Sequence, residues 1–353
     1  MKSSYDPDDV TLLLKDITGL TEPLPAEIRE ARIQKGAHYC EMLPLEYKPS
    51  EQYLAAYRSA LQHYAESTAR ATGFLAEKLY RKKGRDLVIV SLARAGIPVG
   101  ILIKRYLNRK YGISCPHYAI SIIRGRGIDR NAVDYILKRH DPAALQFIDG
   151  WIGKGAILTQ LREALSDYPE LDAELGVISD PASLTELCGT HEDILIPSSC
   201  LNATVTGLIS RTFLRSDIIG PQDFHGAAFY DNLRGEDLSR DYLTEIERFF
   251  DFGASPPAAG GETGRPGPET ARLIAEAYGV TDINFIKPGI GEATRVLLRR
   301  IPWRIIVNPR YASSPELLHI RELAREKSVP WEDSRVDLGN YKVAGIIKKL
   351  SDI

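Results

Sequence analysis

The sequence is poor in several features that would have fixed its class at once. Its four cysteines, Cys40, Cys115, Cys188 and Cys200, make no C-x-x-C pair, and no Cys/His group has zinc-ligand spacing. That excludes a zinc finger and favours reduced, mostly structural thiols in a cytoplasmic protein. No apolar run approaches the roughly 18 residues of a membrane span. The opening stretch MKSSYDPDDVTLLLKD has no apolar core of the signal-peptide kind, so no membrane partner is expected. The phosphate loop G-x-x-x-x-G-K-[ST] is missing as well. With a net charge of −2 there is no overall cationic field, so any nucleic-acid site has to be a local patch.

What is present is an ordinary globular composition, 44% apolar and 26% charged, in 353 residues, enough for two domains with sizeable cores. Residues 251–271, opening DFGASPPAAGGETGRPGPET, are rich in Gly, Pro and small polar groups and cannot repay their ordering entropy. They read as a linker between a body, 1–250, and a tail domain, 272–353. In the body, helical spacing runs through 51–83, with Leu54, Tyr57, Leu61 and Tyr64 on one face. The short apolar runs DLVIVSL, HYAISII, LQFID, ELGVIS and DILIPSS follow, with helices such as VGILIKRYLNRKYG and ILTQLREALSDY between several of them. That alternation predicts an α/β fold with a doubly wound parallel sheet, whose ligands bind at the loops after the strands. The tail reads helix ARLIAEAYG, strand INFIK, helix GEATRVLLRR, strand WRIIVNP, helix PELLHIRELAREK, a short strand or loop VPWEDS and a final helix YKVAGIIKKLSD.

Two strand-end loops carry candidate chemistry. DLVIVSL ends in Ala93, Arg94, Ala95 and Gly96 before a helix; small residues let an anion approach the backbone, and Arg94 offers a fixed fork of donors. An ordinary turn with an exposed arginine explains the same residues. LQFID ends in Asp149-Gly150, followed by Gly153, Lys154, Gly155 and Ala156 at a helix start. A carboxylate beside a nest of backbone N–H groups suits a sugar phosphate, with the helix dipole adding to the attraction.

This second loop resembles the donor loop of type I phosphoribosyltransferases, and SLARAGIPVG resembles their pyrophosphate loop. The resemblance implies that Asp149 binds ribose and that Gly153 to Ala156 hold the 5′-phosphate. It also implies that Arg124, Arg126 and Arg130 lie on a closing loop. The segments VTLLLKD, HYCEMLPLEY, PSSCLNATVTGLISRTFL and FHGAAFYDNL are similar to a phosphoribosyltransferase-like group tied to bacterial tellurite-resistance and stress-response gene clusters. Some members of that group carry the label of a stress-induced cysteine protease. Two departures stand out: position 150 is Gly where many members have a second acid, and Gly153 and Lys154 replace the usual hydroxyl residues.

The expectation is therefore a glycosyltransferase moving a phosphoribosyl group from phosphoribosyl pyrophosphate to a nitrogenous base. Mg²⁺ would be held through the substrate, with Asp149 as a further ligand, and Arg94, Asp149, Arg124 and Arg126 would be catalytic. Ser199, Cys200, Asn202, His225 and Asp231 are added as residues lining the substrate pocket. Two alternatives stand beside this reading: a weakly catalytic phosphoribosyl-pyrophosphate sensor acting on RNA, and a cysteine hydrolase using Cys40 or Cys200. For Cys40 a structural thiol is the preferred reading, because near neighbours in sequence such as His38 seldom meet in catalytic geometry.

In the tail, Gly289-Ile290-Gly291-Glu292-Ala293-Thr294-Arg295 resembles the RNA-contacting element of the L7Ae and pelota superfamily, which implies a small α/β/α sandwich. The expected RNA-binding residues are Lys287, Gly289, Gly291, Glu292, Arg295, Arg299 and Trp331, Gly291 standing where the superfamily usually has asparagine. Lys287, Arg295, Arg299, Arg300 and Arg304 crowd one short region, and phosphate contact is the cheapest source of RNA affinity. A homo-oligomer is compatible with the sequence.

Overall fold

The computed structural model describes residues 1–254 and 264–348, and only the backbone of Ala26, Glu27, Glu30, Gln34 and Arg299. The body is organised by one long helix and one sheet. Ahead of them lie strands β1 (Thr11–Leu12) and β2 (Lys15–Asp16) and helix α1 (Ala26–Gln34). Helix α2 (Glu51–Lys83) is bounded as its caps dictate. The Ser50 side chain accepts the Tyr53 N–H at the start, and Gly84, at a positive φ of 66°, ends it after Arg81, Lys82 and Lys83. Strand β3 (Val88–Ala93) leads into α3 (Gly96–Tyr111), then β4 (His117–Ile123), β5 (Gly127–Ile128) and α4 (Arg130–Leu137). Next come β6 (Leu145–Trp151), α5 (Ala156–Ala164), β7 (Leu175–Ser179), β8 (Cys188–Thr190), β9 (Gly226–Ala227) and α6 (Ser239–Glu247).

Six strands pair in parallel in the order β1-β4-β3-β6-β7-β8, and β5 adds antiparallel to β4. Both faces are covered, which is why the central strands are largely apolar. Val88, Val90 and Leu92 pack with Ile136 of α4 and Leu158 and Leu161 of α5. Ile89, one residue out of phase, packs with Leu75 and Leu79 of α2 and Val99 and Ile103 of α3. The sheet is thus wound on both sides, with its strand ends opening towards the loops at 93–96, 124–127 and 149–156. DILIPSS forms no strand: Pro197 lacks a ladder N–H, and Pro197–Cys200 is a 3₁₀ turn.

The C-terminal domain contains α7 (Gly267–Ala277), β10 (Ile286–Pro288), α8 (Ile290–Arg299), β11 (Pro302–Val307), α9 (Leu318–Glu326), β12 (Trp331–Asp333) and β13 (Val343–Ile347). Its sheet runs β10-β13-β11-β12, with β13 antiparallel to both neighbours and β11 parallel to β12. The helix expected over YKVAGIIKKLSD is corrected here. Val343 to Ile347 form a central strand, because an apolar run with three β-branched residues pairs on both sides and packs under α8, with Val343 to Ile346 buried. Residues 255–263 of the expected linker lie outside the described residues, and its last positions already belong to α7.

Candidate functional site

The loops after β4 and β6 meet the C-terminal domain around a cavity of about 250 Å³. Its charged lining is Arg124, Asp149 and Lys154 from the body and Lys287, Glu292 and Arg295 from β10 and α8. Asp149 lies two residues before the end of β6 and accepts the Gly150 N–H at 2.8 Å; burial pushes its carboxyl up to about 6, against that hydrogen bond and the Arg295 charge. Gly155, at φ 90°, turns the chain into α5, and no side chain caps that helix. Lys154 does not face a free anion. Its ammonium donates to the carbonyls of Ile283 (2.5 Å) and Ile286 (3.4 Å), and burial, with Lys287 and Arg124 nearby, lowers it to about 8. Arg295 lies over the Trp151 ring at 4.3 Å and contacts the Ser199 carbonyl at 3.5 Å and Glu292 at 3.3 Å.

Other expected residues are placed elsewhere. The Arg94 guanidinium donates to the Ile209 carbonyl (2.8 Å) and Asn202 Oδ1 (3.0 Å) and pairs with Glu46 at 3.0 Å. Its charge is met inside the body, where Glu46 also accepts the Ala203 N–H at 2.9 Å. Gly96 is needed for packing, since a Cβ there would stand 2.4 Å from the Ile148 carbonyl. Cys200 is fully buried in the core. The His225 ring binds Ser121 Oγ at 2.8 Å, and the His225 backbone N–H donates to Asp129 at 2.6 Å, an internal network. Asp231 is an exposed surface carboxylate paired with Arg234. Ala93 ends β3 and Gly150 lies within β6, one residue before its end, while Ala95 is on the cavity wall. Arg126 pairs with Glu41 at 3.1 Å, and Arg130 with Asp167 on the surface. Trp331 lies on β12, half-buried, with Arg321 over its ring. The Arg299 side chain lies outside the described residues.

Beside the cavity the structure pairs two side chains that sequence spacing argues against. His38 Nδ1 is 2.9 Å from Cys40 Sγ. The contact forms because His38, extended at φ −80° and ψ 142°, caps the 3₁₀ turn Tyr39–Glu41 and folds its ring onto the residue two ahead, as Asn or Asp does in a side-chain turn. His38 Nε2 is 3.1 Å from the Arg124 carbonyl. A carbonyl only accepts, so Nε2 carries the proton and Nδ1 presents its lone pair. The Cys40 backbone N–H, donating to Nδ1 at 3.4 Å, requires the same tautomer. Cys40 is buried, and burial raises its thiol to about 11, with Arg126 pulling the other way. The loop that holds His38 is tied down by Arg124 N–H to Tyr39 Oη (3.0 Å), Gly125 N–H to Gln160 (2.6 Å) and Arg124 to Asn284 of the C-terminal domain (2.6 Å).

A second thiol has a similar neighbour. Cys188 Sγ is 3.5 Å from His191 Nε2, and His191 Nδ1 is 3.0 Å from the Asp180 carbonyl and 3.9 Å from its carboxylate. Burial raises this thiol further, to about 12. Among the described residues no group of three His, Cys, Asp or Glu side chains could hold a metal ion, and no helix is long and apolar enough to cross a membrane.

Comparison with known proteins places these findings. Residues 3–247 match the family described as tellurite-like stress resistance cysteine protease StiP, and residues 266–349 match the PELOTA RNA binding domain. A protein of Acinetobacter baylyi named cysteine protease StiP is 32% identical over 365 residues, covering 98% of this chain and 94% of its own length. These matches overturn the expected phosphoribosyltransferase activity, and its expected partners, phosphoribosyl pyrophosphate and a base, find no support in them. Family and relative alike are named for cysteine proteolysis, the second of the two alternatives. The expected Mg²⁺ was tied to that donor. A C-terminal RNA-binding domain is supported.

Proposed function

The chain belongs to the StiP family of stress-resistance cysteine proteases, and on that premise we propose that it is a cysteine peptidase using Cys40 as nucleophile and His38 as base, joined to an RNA-binding domain. The observation that carries this is the 2.9 Å contact between His38 Nδ1 and Cys40 Sγ, with the tautomer fixed by the Arg124 carbonyl. His38 takes the thiol proton, and the thiolate attacks the scissile carbonyl. His38 then returns the proton to the leaving amine, and a water activated by the same nitrogen releases the acyl group from sulfur. A thiol raised to about 11 is protonated at neutral pH, so the base is required rather than helpful. Access to Cys40 calls for movement of the Arg124–Gly127 loop, whose Gly125 and Gly127 sit at φ 77° and 89°.

The order of strands and strand-end loops supports a phosphoribosyltransferase-type scaffold for the body, put to a hydrolytic use. Four free thiols support a reducing, cytoplasmic setting. A second reading takes Cys188 as nucleophile, favoured by the Asp180 carbonyl that orients His191 towards it.

The test is cleavage of fluorescent denatured casein by the full chain, with parallel measurement of iodoacetamide labelling. Cys40→Ser and His38→Gln are expected to lower cleavage by about 100-fold or more, with Cys188→Ser close to the parent. Loss on Cys188→Ser alone would move the nucleophile to Cys188. Full activity in all three variants would exclude both cysteines as nucleophile, and no cleavage by the parent would remove the peptidase assignment.

A further inference from the structure

RNA is held first through its phosphates, by cations and by helix N-termini. In the C-terminal domain, Lys287, Arg295 and Arg300 crowd around β10 and α8; Arg300 is exposed, while Lys287 and Arg295 line the cavity shared with the body. Arg295 covers the Trp151 ring, and Glu292 Cγ lies 3.4 Å from the position a Cβ on Gly153 would take. Tyr341 Oη donates to the Gly153 carbonyl at 2.5 Å. The N-terminal end of α8 already holds an anion. Asp193, a body residue only 3% exposed, accepts the Ile290 N–H at 2.9 and 3.1 Å and the Lys342 N–H at 3.0 Å.

We propose that RNA and the body compete for this one surface: the start of α8 with Lys287 and Arg295 is the RNA phosphate site, and in the docked chain Asp193 stands in that site as an internal anion. The inference rests on the RNA-binding reading given above. The Ile290 N–H at the helix start, shared between both Asp193 oxygens, and the Lys342 N–H beside it offer a carboxylate what they would offer a phosphate, and the surrounding cations exceed what Asp193 and Glu292 neutralise. RNA then binds the full chain only as far as the edge of the domain leaves Asp193, so its apparent affinity is lowered by the docked fraction. Binding would in turn free the cavity wall that carries Arg124, the residue whose carbonyl orients His38.

The experiment uses the full chain and a fluorescein-labelled RNA hairpin. Asp193→Asn keeps the size and removes the charge, and is expected to bind RNA about tenfold more tightly than the parent. In the parent protein, saturating RNA is expected to speed hydrogen exchange at the Ile290 and Lys342 amides. That second readout serves even if Asp193→Asn folds poorly. RNA binding with equal affinity in both proteins and unchanged protection at those amides would overturn the competition while leaving RNA binding intact. No RNA binding by either protein at low salt would sink the RNA reading itself, and this inference with it.

Discussion

Asp149 is held as a carboxylate in a place that disfavours its charge. Its folded pKa of about 6 stands above the unfolded value of about 3.9, so between those values the folded state binds more protons. The sign follows directly. This group favours folding most below about pH 4, and that contribution is lost as pH rises through about 6. Asparagine would keep the bond from the Gly150 N–H and lose the penalty. Asp149→Asn is therefore expected to be more stable than the parent by about 1–3 kcal/mol near pH 7, with the gap closing near pH 4. Urea midpoints at the two pH values decide it, and a gap of equal size at both would refute the account. A residue that costs stability while lining a cavity is a candidate for function, and the strand-end position of Asp149 made it legible in the sequence. The His38 and Cys40 pair was not. The residues are visible, but their meeting depends on His38 taking a capping conformation that aligns ring and thiol, and on the Arg124 carbonyl arriving from a strand end far along the chain. Asp193 was invisible for the same reason, since its partners are the amides of Ile290 and Lys342.

Element by element, the sequence speaks most clearly where the signals are local. The ends of α2 are written in Ser50 and Gly84 and its face in apolar spacing, so its range is read correctly. Strand β13 was misread as helix because a short apolar run has no period of its own, and only pairing with β10 and β11 makes it a strand. Packing between elements is less legible still. Gly189 on β8 touches α2 so closely that a Cβ would stand 2.1 Å from the Ala71 carbonyl oxygen and 2.9 Å from its Cα, both backbone atoms that cannot rotate aside. Gly189→Ala is expected to destabilise the chain by about 1–3 kcal/mol or more. Gly150→Ala serves as the control, because its nearest neighbour is 3.7 Å away, and a change within about 0.5 kcal/mol is expected there. Equal urea midpoints for the two variants would show that α2 moves away from β8 at little cost.

At the scale of the whole molecule, the composition of residues 251–271 announces a break in the chain, and the packing does not follow it. Leu54, Tyr57 and Tyr64 of α2 share one apolar cluster with Leu297, Leu317 and Ile320 of the C-terminal domain. Val177 and Ala182 of the body share another with Ala271 and Ile274. Tyr64 Oη donates to the Glu316 carbonyl at 2.7 Å, and the Gly267 N–H to the Ala182 carbonyl at 2.8 Å. A linker composition reports local chain entropy and says nothing of the surfaces on either side, which is why this union could not be read from it. Apolar cores that cross the boundary couple the two parts, so calorimetry of the full chain is expected to show one transition. Ile320, fully buried on α9, lies within the first shared cluster. Ile320→Ala should cost about 2–5 kcal/mol and move that single transition down as a whole. Two peaks, of which only one moves, would mean that the domains unfold separately and that docking contributes little. The apparent RNA affinity would then not be held down by docking, because the Asp193 contact would have no shared core behind it. A single shifted peak would instead mean that RNA must work against the full cooperative interface, and that the cavity beside His38 and Cys40 is kept in shape by both domains together.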